Sequence, residues 1–271
     1  MSMDKVQLLS EEMLKEGLKT AWAGHPVIFK EELDSTNRLL MQAGTEGASH
    51  GTLAVTELQT AGRGRRGRSW YSPKGSGIWM SILLRPKQPA EKTPMLTLAA
   101  AMAAYDALKP YAKDCAIKWP NDLVIKGKKV CGILTELGFA PDGSCYVVIG
   151  IGINVNTRDF EDELKPIAAS LFTETGKSCD RLPIICDLWA AFEGYYEMWE
   201  KTGDLSLLKE AYNSRLVNIG RTVRIEGAAV RETGTALGID DSGSLGILLA
   251  DGTVKHVMSG EVSVRGVLGY V

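Results

Sequence analysis

Gly62-Arg63-Gly64-Arg65-Arg66-Gly67-Arg68 is the stretch around which this sequence is organised, between an apolar run and Trp70-Tyr71-Ser72-Pro73. Only arginine and glycine occur in it. Glycine lets the backbone adopt conformations closed to other residues and lets a ligand come close to the chain. Arginine carries a planar fork of donors that matches phosphate or carboxylate groups. The stretch therefore predicts a loop that wraps a multiply charged anion.

Two other interpretations of this loop fit its residues less well. Gly62, Gly64 and Gly67 match the G-x-G-x-x-G pattern of dinucleotide-binding folds, and they follow a predicted strand. However, arginines fill the variable positions, and Arg68-Ser69-Trp70-Tyr71-Ser72-Pro73 follows where that fold needs an apolar helix. A merely solvated basic turn would not need glycines, because each glycine raises the entropic cost of ordering the loop.

The composition is that of an ordinary globular chain, with 271 residues, 45% hydrophobic and 24% charged. This length allows one large domain, or one large and one small domain. The net charge of -2 argues against general binding of nucleic acid or other polyanions. The five cysteines form no metal-binding pattern, which favours a reducing compartment. With no signal peptide or membrane-spanning run in the sequence, we predict a cytoplasmic protein that does not associate with membranes.

The first part of the chain alternates between helices and buried strands. Ser10 is the predicted N-cap of a helix over residues 11–20. Strands are predicted over residues 27–29, 51–58 and 77–84, and Thr93-Pro94 begins an alanine-rich helix that reaches residue 108. Asp34-Ser35-Thr36-Asn37 is typical of helix capping, although its side chains could also serve a ligand at a helix N-terminus.

Two motifs in the middle of the chain combine polar residues with strands. Lys118-Trp119-Pro120-Asn121-Asp122 places a proline inside an apparent strand, which must end, bulge or break there. By itself this motif is equally well explained as a bend at a strand edge, and Lys129, before the next strand, as a solvated lysine. The return strand carries Gly150 and Gly152 at alternate positions. Since glycine weakens a strand, that face needs small residues to admit a ligand or a backbone.

The last part of the chain changes character near residue 218. Helices are predicted over residues 183–201 and 205–216, and short strands separated by Asp- and Gly-containing turns follow from Gly220 onward. We therefore predict two domains, residues 1–217 and 218–271. The predicted fold class is α+β: a mixed, largely antiparallel sheet backed by helices, followed by a small SH3-like β-barrel.

Taken together, five motifs resemble the biotin protein ligases in their order and spacing, over residues 25–265. They are Asp34-Ser35-Thr36-Asn37, Gln59-Thr60-Ala61-Gly62-Arg63-Gly64-Arg65-Arg66-Gly67-Arg68, Lys118-Trp119-Pro120-Asn121-Asp122, Lys129-Val130-Cys131-Gly132-Ile133-Leu134-Thr135-Glu136 and Gly150-Ile151-Gly152-Ile153-Asn154-Val155-Asn156. The resemblance implies a catalytic domain similar to class II synthetases. Cys131 stands where alanine is common in the family, and a thiol is nearly as small and apolar.

The resemblance implies a two-step reaction that uses ATP and Mg²⁺. Biotin and ATP would give biotinyl-5′-AMP and pyrophosphate, and a lysine of a biotin carboxyl carrier domain would then attack the mixed anhydride. The first step brings a carboxylate to a phosphate, so it needs cationic groups to offset the repulsion between them. Two alternatives are a lipoyl or octanoyl protein ligase on a similar scaffold, and a non-catalytic biotin-responsive regulator.

The resemblance also assigns roles to individual residues of this sequence. Lys129 and Arg65 are the expected catalytic residues, and Asp122 is a candidate ligand of Mg²⁺. Biotin would contact Ser35, Thr36, Asn37, Gln59, Arg63, Gly64, Arg65, Lys129, Gly132 and Leu134. ATP or the adenylate would contact Arg65, Arg68, Trp70, Lys118, Asn121, Asp122, Lys129 and Asn154, with Trp70 stacking on adenine.

Three further expectations concern motion and partners. The arginine-glycine loop should be mobile without ligand and ordered by it, because its guanidiniums repel one another until an anion binds. Only one helix is expected before the first catalytic strand, too little for a helix-turn-helix module, so we predict no specific DNA binding. An edge strand could pair two subunits into a homodimer.

Overall fold

A seven-stranded sheet carries the first part of the protein in the computed structural model, which describes residues 7–226, 231–258, 263–266 and 270–271. Its strands are β1 Val27–Leu33, β2 Leu53–Gln59, β3 Gly77–Leu84, β4 Cys115–Lys118, β5 Asp122–Ile125, β6 Lys128–Phe139 and β7 Cys145–Asn154. They lie in the order β1-β2-β3-β7-β6-β5-β4. Only β1 and β2 of this sheet run parallel, and the other neighbouring pairs are antiparallel. The predicted mixed, largely antiparallel sheet is confirmed.

Helices cover this sheet. In the described residues they are α1 Glu11–Gly17, α2 Thr36–Thr45, α3 Leu96–Leu108, α4 Leu171–Thr175, α5 Arg181–Thr202 and α6 Lys209–Arg215, with 3₁₀ turns at Arg65–Gly67 and Ala90–Met95. The alanine-rich α3 is buried along most of its length and packs against both the sheet and α5. Small side chains on every face allow a helix to occupy such an inner layer. None of the helices in the described ranges is long and apolar enough to cross a membrane.

A second, five-stranded antiparallel sheet follows. Its strands are β8 Thr222–Glu226, β9 Arg231–Ile239, β10 Leu245–Leu249, β11 Val254–Val257 and β12 Ser263–Gly266, in the order β11-β10-β9-β8-β12. The indole N–H of Trp119 donates to the carbonyl of Gly243 at 3.1 Å, which ties this sheet to the β4–β5 connection. The all-β C-terminal part is confirmed, and its division from the rest at residue 218 stays a prediction.

Two helix boundaries differ from the sequence prediction by three residues or more, each because of a contact with a distant part of the chain. The first helix ends at Gly17 rather than residue 20, because Leu18 is extended and Glu193 of α5 accepts hydrogen bonds from the backbone N–H groups that follow, those of residues 21–23. The last predicted helix, 205–216, begins only at Lys209. There the N–H of Leu205 donates to the carbonyl of Asp241 at 2.7 Å, so the preceding turn is tied to the C-terminal sheet instead.

Two prolines, Pro120 and Pro94, show how the chain enters or leaves the neighbouring elements. Pro120 lies in the turn between β4 and β5, so the apparent strand is broken into a hairpin, one of the outcomes predicted. Pro94 lies inside the 3₁₀ turn rather than at the first position of α3. That turn takes the chain into α3, which ends at Leu108 as predicted.

Candidate active site

The arginine-glycine loop folds back on itself as a short hairpin. Arg63 pairs with Ser69 in an antiparallel bridge, and the N–H of Gly64 donates to the carbonyl of Arg68 at 2.7 Å. The turn between them passes through the left-handed backbone region at Gly67, with φ of 72°, a conformation that glycine adopts without strain. The loop therefore presents its arginine side chains around a tight backbone turn.

Two adjoining cavities lie beside this loop, and every predicted site residue lines at least one of them. The larger, about 510 Å³, is lined by the predicted residues Gln59, Gly64, Arg65, Arg68, Trp70, Lys118, Asn121, Asp122, Lys129 and Asn154. The smaller, about 40 Å³, is lined by Ser35, Thr36, Asn37, Gln59, Arg63, Gly64, Arg65, Trp70, Asn121, Lys129, Gly132 and Leu134. The fold thus brings together motifs that are far apart in the sequence.

Lys129 lies where the two cavities meet, at the beginning of β6. Its N–H donates to the carbonyl of Ile167 and its carbonyl accepts from the N–H of Ala169, both at 2.8 Å. Its Nζ forms an ion pair with Oδ1 of Asp122 at 2.5 Å. Both ends of this lysine are therefore fixed, the backbone by a neighbouring segment and the ammonium by a buried carboxylate.

Asp122 is a carboxylate surrounded by cations. Its burial raises its pKa, but Lys129 and Lys118 lower it, and the net result is a pKa below the usual range. Its other oxygen, Oδ2, accepts a hydrogen bond from the hydroxyl of Tyr270. No cluster of three metal-ligating side chains occurs in the described ranges. Oδ1 is buried and faces the Lys129 ammonium without an assigned hydrogen bond. The role of Asp122 as a magnesium ligand stays a prediction.

Arg65 reaches into the site from the loop. Its Nη1 donates to Oδ1 of Asn121 at 2.8 Å, while Nδ2 of Asn121 donates to the carbonyl of Ile133 at 3.0 Å. Burial lowers the pKa of Arg65, and Asp122 partly offsets that effect. Arg68, by contrast, is exposed at the rim of the larger cavity. The two arginines therefore differ in position, and their separate roles toward biotin and ATP stay predictions.

The segment before α2 does not act as a side-chain cap. Ser35 is the N-cap residue of α2, but its side chain makes no capping hydrogen bond. Instead, Oε1 of Gln59 accepts a hydrogen bond from the N–H of Thr36 at 3.0 Å. The Thr36 and Ser81 hydroxyls lie 2.6 Å apart. These contacts form a polar wall on the smaller cavity and favour the ligand interpretation of the motif over simple capping.

Glu136 connects the loop to α2. It accepts a hydrogen bond from Nδ2 of Asn37 at 2.8 Å and forms an ion pair with Nη2 of Arg63 at 3.0 Å. The sequence analysis quoted Glu136 within a motif but assigned it no role. Tyr270 was missed altogether, because a tyrosine near the end of a chain gives no local signal.

The glycines of β7 and β6 accommodate side chains of the protein itself. A Cβ at Gly152 would lie 2.5 Å from the indole of Trp70, and one at Gly132 would lie 2.7 Å from it. A Cβ at Gly150 would lie 2.0 Å from the Asn37 side chain. The sequence predicted that a ligand or a backbone needs small residues here, and it did not include side chains of the protein itself. In this structure the ring of Trp70 lies on the glycines, with its N–H buried and bonded to no described residue.

Two protein-family models match separate parts of the chain. The Biotin/lipoate A/B protein ligase family matches residues 29–154, and the Biotin protein ligase C terminal domain matches residues 219–265. The Bifunctional ligase/repressor BirA of Bacillus subtilis is 41% identical over 257 residues, which is 94% of this chain and 78% of that protein. This chain belongs to the biotin protein ligase family. The Biotin--[acetyl-CoA-carboxylase] ligase of Mycobacterium tuberculosis is 32% identical over 262 residues, 94% of this ligase and 95% of its relative.

The ligase fold is similar to that of solved relatives. The biotin protein ligase from Aquifex aeolicus in complex with biotin and ATP is 32% identical, with a TM-score of 0.78 over 89% of this ligase and 98% of that chain. The match spans both the seven-stranded sheet and the C-terminal part. The predicted fold class and family are therefore confirmed.

Proposed function

We propose that this ligase activates biotin with ATP and transfers it to a lysine of a biotin carboxyl carrier domain of a biotin-dependent carboxylase. The observation that carries the proposal is the position of Lys129, whose side chain lines both cavities next to Arg65. An acyl-adenylate has an acid part and a nucleotide part joined at one phosphate. Adjoining cavities with a cation at their junction match that division.

The first step needs charge compensation at the junction. The biotin carboxylate and the α-phosphate of ATP repel each other, and negative charge grows on the departing pyrophosphate. Fixed cations stabilise such charge most when they are held in place before the reaction. Lys129 and Arg65 are held in this way, by Asp122 and Asn121 respectively. Holding both substrates in register contributes further to the rate.

We assign the smaller cavity to biotin and the larger one to ATP. The smaller cavity combines the polar groups of Ser35, Thr36 and Asn37 with the walls formed by Gly132 and Leu134. The larger one is lined by the cations Arg68 and Lys118 and by Asn154. Nδ2 of Asn154 donates a hydrogen bond to the carbonyl of Ala169 at 3.0 Å. A volume of about 40 Å³ holds roughly one water molecule. Biotin binding therefore requires Trp70 or the loop to move.

Magnesium is proposed to enter the site as a partner of ATP. It keeps most of its water and commonly binds through the phosphates of a nucleotide, whose charge it reduces. The arrangement around Asp122, with two lysines and the Tyr270 hydroxyl, supports this placement.

The alternatives predict different substrates or no turnover. A lipoyl or octanoyl ligase is consistent with the family that matches residues 29–154, but the domain that matches residues 219–265 belongs to biotin protein ligases. A non-catalytic regulator would not need Lys129 and Arg65 at the junction of two cavities.

Exchange of pyrophosphate into ATP distinguishes these functions. We expect exchange that depends on biotin and does not occur with lipoate or octanoate. Biotin transfer to a recombinant carrier domain, followed by mass, should then add one biotin to one lysine. Exchange with lipoate and none with biotin would establish the lipoyl alternative, and no exchange with any acid would leave only the regulator.

Three further expectations from the sequence stay predictions for this ligase. They are a cytoplasmic location, a homodimer formed through an edge strand, and the lack of specific DNA binding. A gel shift with biotin-operon DNA at physiological salt tests the last of these, and a tight, sequence-specific complex would contradict it.

A further inference from the structure

Tyr270, the penultimate residue of the chain, lines the larger cavity. It contacts Asp122, which is 148 positions earlier in the sequence, through a hydrogen bond from its hydroxyl to Oδ2. The residue comes after the C-terminal sheet and takes part in neither of the two sheets. A residue that follows the C-terminal sheet thus reaches the centre of the site.

The ring and the hydroxyl of Tyr270 contact different charges. Nζ of Lys118 lies 4.4 Å from the ring centroid, a favourable cation–π distance. The hydroxyl bonds to one oxygen of Asp122, and the other oxygen pairs with Lys129 at 2.5 Å. Tyr270 therefore contacts Lys118 and Asp122 at once, and the second oxygen of that carboxylate, Oδ1, faces Lys129.

We propose that Tyr270 is a positioning residue of the adenylation site, which acts through Asp122 on Lys129. Its ring contacts Lys118, and its hydroxyl fixes the orientation of the Asp122 carboxylate, so that the Lys129 ammonium stays at the junction of the two cavities. This inference rests on the proposed function of Lys129. It assigns a part in the reaction to a residue that follows the C-terminal sheet.

Two substitutions separate the contacts. Tyr270→Phe keeps the ring over Lys118 and loses the hydroxyl, whereas Tyr270→Ala loses both. Because hydrogen bonds to charged groups are the strong ones, we expect Tyr270→Phe to lower kcat for biotin-dependent ATP–pyrophosphate exchange about tenfold, with KM for ATP changed by less than about twofold. Tyr270→Ala should lower kcat further. Tyr111→Phe is the matched control, since Tyr111 lines neither cavity and should keep wild-type kcat.

A double-mutant cycle with Asp122→Asn tests whether the effect passes through Asp122. A positioning role predicts that Tyr270→Phe has almost no further effect on kcat in the Asp122→Asn background, whereas a general structural role predicts additive losses. If Asp122→Asn has no measurable exchange, the split between kcat and KM in Tyr270→Phe decides instead. Wild-type kcat in both Tyr270 variants, additive losses in the cycle, or a loss confined to KM would overturn the inference. A wild-type enzyme without biotin-dependent exchange would contradict the proposed function itself.

Discussion

Both the backbone contacts and the ion pair of Lys129 fix the position of its side chain. Lys129 pairs with Val124 of β5 on one side and forms a parallel bridge with Ala168 on the other. The ammonium then lies 5.0 Å from the centroid of the Trp70 ring as well as beside Asp122. A lysine held on three sides loses little freedom when a substrate binds, which suits a group that stabilises developing charge.

Lys129→Ala should remove most of the adenylation activity while leaving the fold intact. Loss of one fixed cation at a developing charge typically costs about 10²–10³ in kcat, and we expect a loss of that order in biotin-dependent ATP–pyrophosphate exchange. Lys128→Ala, one position earlier in β6, is the matched control and should keep nearly wild-type kcat. Thermal unfolding of both variants checks that the fold is unchanged. Near-normal turnover of Lys129→Ala would remove this residue from the mechanism.

At the scale of elements, the strands were easier to predict than the contacts between them. β3 was predicted to the residue, since a continuous apolar run lies between a glycine and Arg85-Pro86. The helix before the C-terminal sheet was predicted too long, because an apolar pattern does not reveal that the N–H of Leu205 bonds to Asp241. The glycines of β7 indicated a crowded face, but not that Trp70 would cover it.

Because the Trp70 ring lies on Gly132 and Gly152, we expect the loop that carries Trp70 to move when a ligand binds. Trp70 ends the arginine-glycine hairpin, and its indole lies where a Cβ of Gly152 or Gly132 would be. The few hydrogen bonds within residues 63–69 are mostly near the surface, so opening them costs little free energy compared with global unfolding. Ligand binding should then stabilise one closed arrangement of the loop.

Limited digestion with trypsin measures this ordering directly. The arginines at 63, 65, 66 and 68 are the cleavage sites, and we expect biotin with ATP to slow cleavage there about tenfold or more, because a bound state resists opening by mass action. Lipoate with ATP is the control and should not protect the loop. Equal cleavage rates with and without biotin and ATP would show that the loop is not ordered by the adenylate.

At the scale of the whole molecule, the sequence motifs predicted residues that line the two cavities but not the contacts that hold the cavities together. Every predicted site residue lines at least one of the cavities, because each motif places several of these residues close together in the sequence. The contacts of Tyr270 with Asp122 and of Arg181 with Glu57 join residues 148 and 124 positions apart. No local pattern marks such pairs, since their partners are set only by the tertiary fold.

Arg181 and Glu57 form a fully buried ion pair, with each side chain 1% exposed. Nη1 and Nη2 of Arg181 donate to the two carboxylate oxygens at 2.7 and 2.9 Å. The same guanidinium donates to the carbonyls of Gly77 and Gln7, at 3.0 and 2.8 Å. The pair thus joins α5, β2, the start of β3 and the segment before α1. Because β2 precedes the arginine-glycine loop and β3 follows it, this clamp joins the strands on either side of that loop.

Glu57→Gln should therefore destabilise the whole protein. Removing one partner of a buried ion pair leaves an uncompensated charge and typically costs about 3–5 kcal/mol in the free energy of unfolding. Urea unfolding should show that loss as a lower midpoint. Glu31→Gln is the control, because the pair of Glu31 with Lys74 is exposed and its loss should leave the midpoint unchanged. A Glu57→Gln midpoint equal to that of the control would mean that water or neighbouring groups compensate Arg181, and the clamp would then contribute nothing to stability.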